Sequence, residues 1–137
     1  MPKPQNLEPL TPDAIAAVRD AIPDEGLLQY VTEAFDALGD PTRARIVYAL
    51  SDRSLCVGDI ASIVGVSDSA VSHQLRILRD RRVVKSQRHG NSMYSSVDDP
   101  HIAAMIREAE YHADHAFRKL PSHPYRLPIH DEGNPSG

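Results

Sequence analysis

Residues 54–97 read SLCVGDIASIVGVSDSAVSHQLRILRDRRVVKSQRHGNSMYSSV. A short helix is expected near Val57–Val64, with Ile60 and Ile63 on its apolar side. Gly65-Val66-Ser67 makes a tight turn, and Ser67 caps a further helix whose core side is Val71, Leu75 and Leu78. Helix, short turn with glycine, helix is the helix-turn-helix arrangement. The second helix exposes Asp68, Ser69, Ser72, His73, Arg76 and Arg79. Short polar groups early and arginines later suit base edges and phosphates in a major groove. Alone they would read equally well as a polar surface. Val83–Arg88 and Ser92–Val97 tip the balance, as two short strands around the turn His89-Gly90-Asn91. A hairpin behind a helix-turn-helix is a wing, and this one carries Lys85, Arg88 and His89 for phosphate or minor-groove contact.

Charge supports that reading once it is located. The 137-residue chain has a net charge of −4, which looks wrong for a nucleic-acid binder. Between His73 and His89, however, Arg76, Arg79, Arg81, Arg82, Lys85 and Arg88 face a single Asp80. That local balance of +5 leaves −9 elsewhere, a basic face on an acidic body. The length suits one domain with a modest core, and the absence of tryptophan suggests a helical core of Leu, Ile, Val and Ala. One cysteine excludes an internal disulfide and fits a reducing cytosol. No apolar run approaches 18 residues and the first residues carry no secretory signal pattern, so a cytoplasmic protein without membrane contact is expected.

Outward from the centre, residues 1–10 carry three prolines and read as a flexible arm. Residues 11–120 read as the winged domain with helices for dimerisation at both ends. Thr11 caps a helix with Pro12 at its first position and Ile15, Val18 and Ile22 on its apolar face. A helix over Gly26–Leu38 should bury Leu27, Leu28, Val31, Phe35 and Leu38. Asp40-Pro41 starts another, running to Ser51 and burying Ile46, Val47 and Leu50. Residues 121–137 contain four prolines, His123 and His130, and read as an irregular tail. The fold class expected is mainly α with a small β-hairpin wing, a homodimeric winged helix-turn-helix.

Residues 98–115, DDPHIAAMIREAEYHADH, bear a second kind of chemistry. Asp98 or Asp99 can cap a helix that opens on Pro100. Ile102, Ile106, Ala109, Ala113 and Phe117 form its apolar stripe. His101, Glu108, His112 and His115 lie within roughly 60° of one another on a different face. His112 and His115 can grip one ion, and Asp99 and His101 can do likewise. The two pairs are about 16 Å apart along a helix, whereas a zinc–nitrogen bond is only about 2.0–2.1 Å. Two copies packed antiparallel would bring Asp99 and His101 of one onto His112 and His115 of the other, giving two equivalent sites across a two-fold axis. Glu108, on an exposed face, reads as a solvated charge.

These residues resemble the ArsR/SmtB family of metal-sensing winged-helix repressors. The resemblance spans Phe35 to His115 and rests on ALGDPTRARIVYAL, on SLCVGDIASIVGVSDSAVSHQLRILR, and on the D-x-H-x10-H-x2-H pattern of Asp99, His101, His112 and His115. It implies a homodimer that binds double-stranded operator DNA without metal and releases it on binding metal at intersubunit sites. It implies Ser69, Ser72, His73 and Arg76 as DNA contacts. It further implies a bond from the second nitrogen of His112 to a main-chain carbonyl near Arg82, tying coordination to the wing. The chain departs from the pattern at a second family site. Cys56 and Asp59 are present, but residues 1–55 contain no histidine and no other cysteine, so Cys56 reads as a small buried residue.

Three imidazoles and a carboxylate fill the tetrahedral preference of zinc(II), with cobalt(II) as a surrogate. Nickel(II) prefers more ligands, which His123 or His130 would have to supply, and EAEYHADH also resembles nickel- and cobalt-sensing members. A filled ligand set offers no open position for water, and no nucleophile motif is present, so no enzyme is expected. The alternative to a metal sensor is a winged-helix regulator with a different effector.

Overall fold

The computed structural model describes residues 7–118. Six helices and three strands follow in the order α1 (Pro12–Ala21), α2 (Glu25–Leu38), α3 (Pro41–Ala49), β1 (Leu55–Cys56), α4 (Val57–Val64), α5 (Asp68–Asp80), β2 (Val84–His89), β3 (Ser92–Val97) and α6 (Pro100–Arg118). Four of the helix starts follow from side-chain caps. Thr11, Asp24, Asp40 and Ser67 each accept the backbone N–H three residues on, at 3.3, 2.9, 3.0 and 3.1 Å. The Asp24 cap starts α2 one residue before Gly26. Gly65 ends α4 in the left-handed conformation, φ 80°, which a residue with a Cβ adopts only at a cost.

The core lies between α3, α4, α5 and the wing. Ile46, Val47, Leu50, Ile60, Val71, Leu75, Leu78 and Val83 are essentially inaccessible to water. β2 and β3 pair antiparallel around Gly90-Asn91, and β1 adds to the other edge of β3, giving the order β1-β3-β2. β1 is too short to carry a period-2 signal, so the sequence reading missed it. Its Cys56 stands opposite Tyr94 and is only half-buried, where a buried thiol was expected.

Three apolar stripes are not buried within one chain. Ile15 and Val18 of α1 and Ile22 at its C-terminal cap are exposed, and α1 buries no residue at all. In α2, Leu27, Leu28, Val31 and Phe35 are exposed where a buried face was expected; Ala37 alone is fully enclosed. α6 divides along its length. Ile102 and Ile106 pack on the core, whereas Ala109, Ala113 and Phe117 lie outside it, Phe117 at 87% exposure. Ile63 also departs from expectation, at 61% exposure on the outer side of α4. The physical reason is common to all: a single layer of helices has only one inner side, and the core beneath α3–α5 is already full.

Residues 1–6 of the proposed arm and the 121–137 tail with His123 and His130 lie outside the described residues.

Candidate nucleic-acid interface and metal centre

α5 presents the polar face its sequence predicts. Asp68, Ser69, Ser72, His73, Arg76 and Arg79 are all exposed, opposite the buried Val71, Leu75 and Leu78. Ser72, His73, Arg76 and Arg79 line a shallow hollow of about 340 Å³. Ser69 sits beside the Ser67 cap, with the two hydroxyls 3.2 Å apart. Arg79 also reaches the wing, donating from Nη1 to Ser86 Oγ at 3.2 Å; Ser86 Oγ lies 3.3 Å from Ser95 Oγ across the β2–β3 pair. Recognition helix and hairpin are therefore joined by side chains as well as by the backbone.

Lys85 and Arg88 are both exposed on β2. Three residues apart on a strand, they leave opposite faces of the hairpin. His89 packs edge-on against Tyr94, ring centroids 5.6 Å apart, and so stiffens the wing tip.

Two members of the basic run do not join this face. Arg81 Nη1 donates to Asp36 Oδ2 of α2 at 2.7 Å, and the Arg82 guanidinium stands 5.4 Å from the centroid of the Tyr30 ring, also on α2. Arg43, to which sequence reasoning gave no role, donates to the Ala37 carbonyl at 2.7 Å and to Gln74 Oε1 at 3.3 Å. Asp36 and Arg81 are 45 positions apart, so no local pattern announces their pairing.

α6 carries the candidate metal ligands at its two ends. Asp99 Oδ1 accepts the His101 backbone N–H at 2.8 Å, so the carboxylate caps the helix and keeps a second oxygen for another role. Asp99, His101, His112 and His115 are all exposed. Helix rise separates the first pair from the second by about 16 Å, and no three candidate ligands gather in one chain among the described residues. Half-way along, Tyr48 of α3 fastens α6 to the core. Its Oη donates to the Ile106 carbonyl at 3.3 Å, and Arg107 lies over its ring at 5.6 Å. Burial pushes the Tyr48 phenol above its ordinary pKa, and the neighbouring Glu110 carboxylate adds to the rise.

Known proteins share both sequence and architecture. The profile of the bacterial regulatory protein arsR family matches residues 40–86. A transcriptional repressor SmtB homolog from Synechocystis sp. is 49% identical over 87 residues, covering 64% of this chain and 64% of that protein, a little under two thirds of each. A cadmium resistance transcriptional regulatory protein CadC homolog from Staphylococcus aureus is 39% identical over 83 residues, covering 60% of this chain and 69% of that protein. The homodimeric winged helix-turn-helix DNA-binding domain Mb0332 from Mycobacterium bovis superposes with a TM-score of 0.66 at 22% identity, over 77% of this chain and 97% of that one. The first two are transcriptional regulators, and the third shares the winged-helix fold described above. The chain belongs to the ArsR/SmtB family of winged-helix transcriptional regulators.

Proposed function

We propose that the chain is a metal-responsive repressor, a cytoplasmic homodimer that holds operator DNA when metal-free and releases it on binding zinc(II) or cobalt(II). The observation that carries this reading is the division of α6. Its ligand pairs stand at opposite ends, too far apart for one ion, and the apolar stripe beside the second pair is uncovered. An antiparallel second copy would cover the stripe and bring Asp99 and His101 of one chain to His112 and His115 of the other. A groove of about 410 Å³ between α2 and α6, lined by Phe35, Met105, Ala109 and Ala113, supports the same packing. The resemblance to a cadmium-resistance regulator supports a metal effector.

The donor set fits the ion. Three neutral imidazoles and one carboxylate suit a four-coordinate zinc or cobalt site. When bound, the metal supplies a cross-link between subunits rather than a reactive centre. Ser69, Ser72, His73 and Arg76 would read the major groove while Arg88 holds the wing on the backbone, with Lys85 leaving the other face of the hairpin. Coordinated His112, bonded through its other nitrogen to a carbonyl near Arg82, would transmit the change to the wing. A ten- to hundredfold loss of operator affinity needs about 1.4–2.8 kcal/mol of coupling, within reach of two helices reorienting at an interface.

The test is fluorescence anisotropy on the protein's own upstream DNA, titrated with zinc, cobalt and nickel. Release of the wild type, with a His112→Ala/His115→Ala variant staying bound, is the expected result. Strongest release by nickel would move the reading to a nickel sensor that draws ligands from His123 or His130. DNA binding indifferent to all three metals would leave a regulator with another effector.

A further inference from the structure

Glycine is the usual residue where a helix ends in a left-handed turn. Here the chain leaves α5 through Arg82 at φ 58°, a conformation that side chains with a Cβ resist. The turn is well formed, with Arg82 N–H donating to the Arg79 carbonyl at 3.0 Å and Val83 N–H to the Leu78 carbonyl at 2.9 Å. The side chain retained at that cost lies against Tyr30 of α2. Its neighbour Arg81 is paired with Asp36, on the same helix, at 2.7 Å. Gln74, seven residues before Arg81 and so on the same side of α5, is held through Arg43 to the C-terminal end of α2. That side is turned roughly 140° from Ser69 and Arg76.

We propose that Arg81 and Arg82 are positioning residues, which lock the recognition helix of each protomer to its α2 and so set the separation of the two recognition helices in the dimer. The proposal rests on the dimeric, DNA-binding reading above. The exposed apolar residues of α2 belong to the uncovered surface that a second copy would seat. Whatever orients α5 on α2 then orients it on the dimer axis. Half-site spacing on DNA mirrors that distance, about 34–36 Å for one helical turn. Arg81 and Arg82 therefore act on which spacing is accepted, and do not act as phosphate contacts despite lying in the basic run.

Two effects of opposite sign separate positioning from charge. Asp36→Ala removes a negative charge, so a purely electrostatic role predicts tighter DNA binding, whereas positioning predicts weaker binding. The experiment is anisotropy of the full-length dimer on a footprinted upstream duplex, on the same duplex with one base pair inserted between half-sites, and on a random duplex, each over a range of salt. Arg81→Ala, Asp36→Ala and Tyr30→Leu are each expected to weaken binding to the native spacing roughly three- to tenfold. Each should narrow the gap between native and inserted duplexes and leave the slope of log K against log salt unchanged. The swapped pair Asp36→Arg/Arg81→Asp should restore spacing discrimination, which a folding defect would not allow. A slope shallower by about 1.8 in Arg81→Ala, the value for two phosphates, one per protomer, no longer neutralised, together with tighter binding by Asp36→Ala, would overturn the proposal and leave the repressor reading standing. A wild type that does not distinguish the upstream from the random duplex would overturn both.

Discussion

The helix-turn-helix with its wing and the helices that flank it were built from the same kind of apolar periodicity, and they end up in opposite conditions. In the central module the stripe of α5 is enclosed to the last methyl, with Val71, Leu75 and Leu78 at 1% exposure or less. In α1 and α2 the stripes are as regular, yet Val18, Ile22, Leu27 and Phe35 are each more than half exposed. Periodicity reports that a face needs a partner; it does not report whether the partner is in the same chain. α6 belongs to both regions, its first half buried on α3 and its second half bare beside His112 and His115. The division places the candidate metal centre at the boundary between a finished core and an unfinished one.

The sharpest way to break that contrast is at its buried end. Leu75→Ala should cost about 2–5 kcal/mol of unfolding free energy in urea, since the packed module cannot collapse onto the hole. Phe35→Asp tests the other end. It should leave the unfolding of the module within about 1 kcal/mol of wild type while weakening self-association by about 1.5–3 kcal/mol, read by sedimentation equilibrium. Equal effects of the two substitutions on folding would erase the distinction.

A third variant sharpens the boundary. Asp99→Ala should destabilise by about 1 kcal/mol through loss of the α6 cap, whereas Asp99→Asn keeps a capping oxygen and should be near neutral in a thermal melt. Both should lose metal affinity by about tenfold or more in a competitive chelator titration, because neither supplies a carboxylate. Wild-type metal affinity in the Asp99→Asn variant would remove Asp99 from the ligand set. The smallest effect concerns the Tyr48 contact half-way along α6. Because the Tyr48 phenol ionises above its ordinary value in the folded chain, the stability it contributes is present below about pH 10 and is lost as pH rises through the folded value. Glu110→Gln should lower the Tyr48 ionisation seen by ultraviolet absorbance without returning it fully, since burial is the larger cause.

Much of the fold was legible because its signals are local. Each cap lies two or three residues from the N–H it receives, and Gly65 and Gly90 stand where the backbone turns left-handed. The exposed face of α5 follows from a 3.6-residue period alone. β1 was not legible, being two residues long and defined only by its pairing with β3. Nor was the division of the basic run. Arg76 and Arg81 look alike in sequence, and only the approach of α2 sends Arg81 to Asp36.

The sequence by itself determined the order of elements, the polar recognition face, and the spacing of Asp99, His101, His112 and His115. These are set by helical geometry and by caps that act within one turn. Only the tertiary structure decided which apolar faces meet a partner within the chain, which arginines face outward, and where α6 leaves the core. Those outcomes depend on contacts between residues tens of positions apart. The physical reason is that burial is allotted by the whole packing: once α3, α4, α5 and the wing have filled the interior, the remaining apolar stripes stay on the surface.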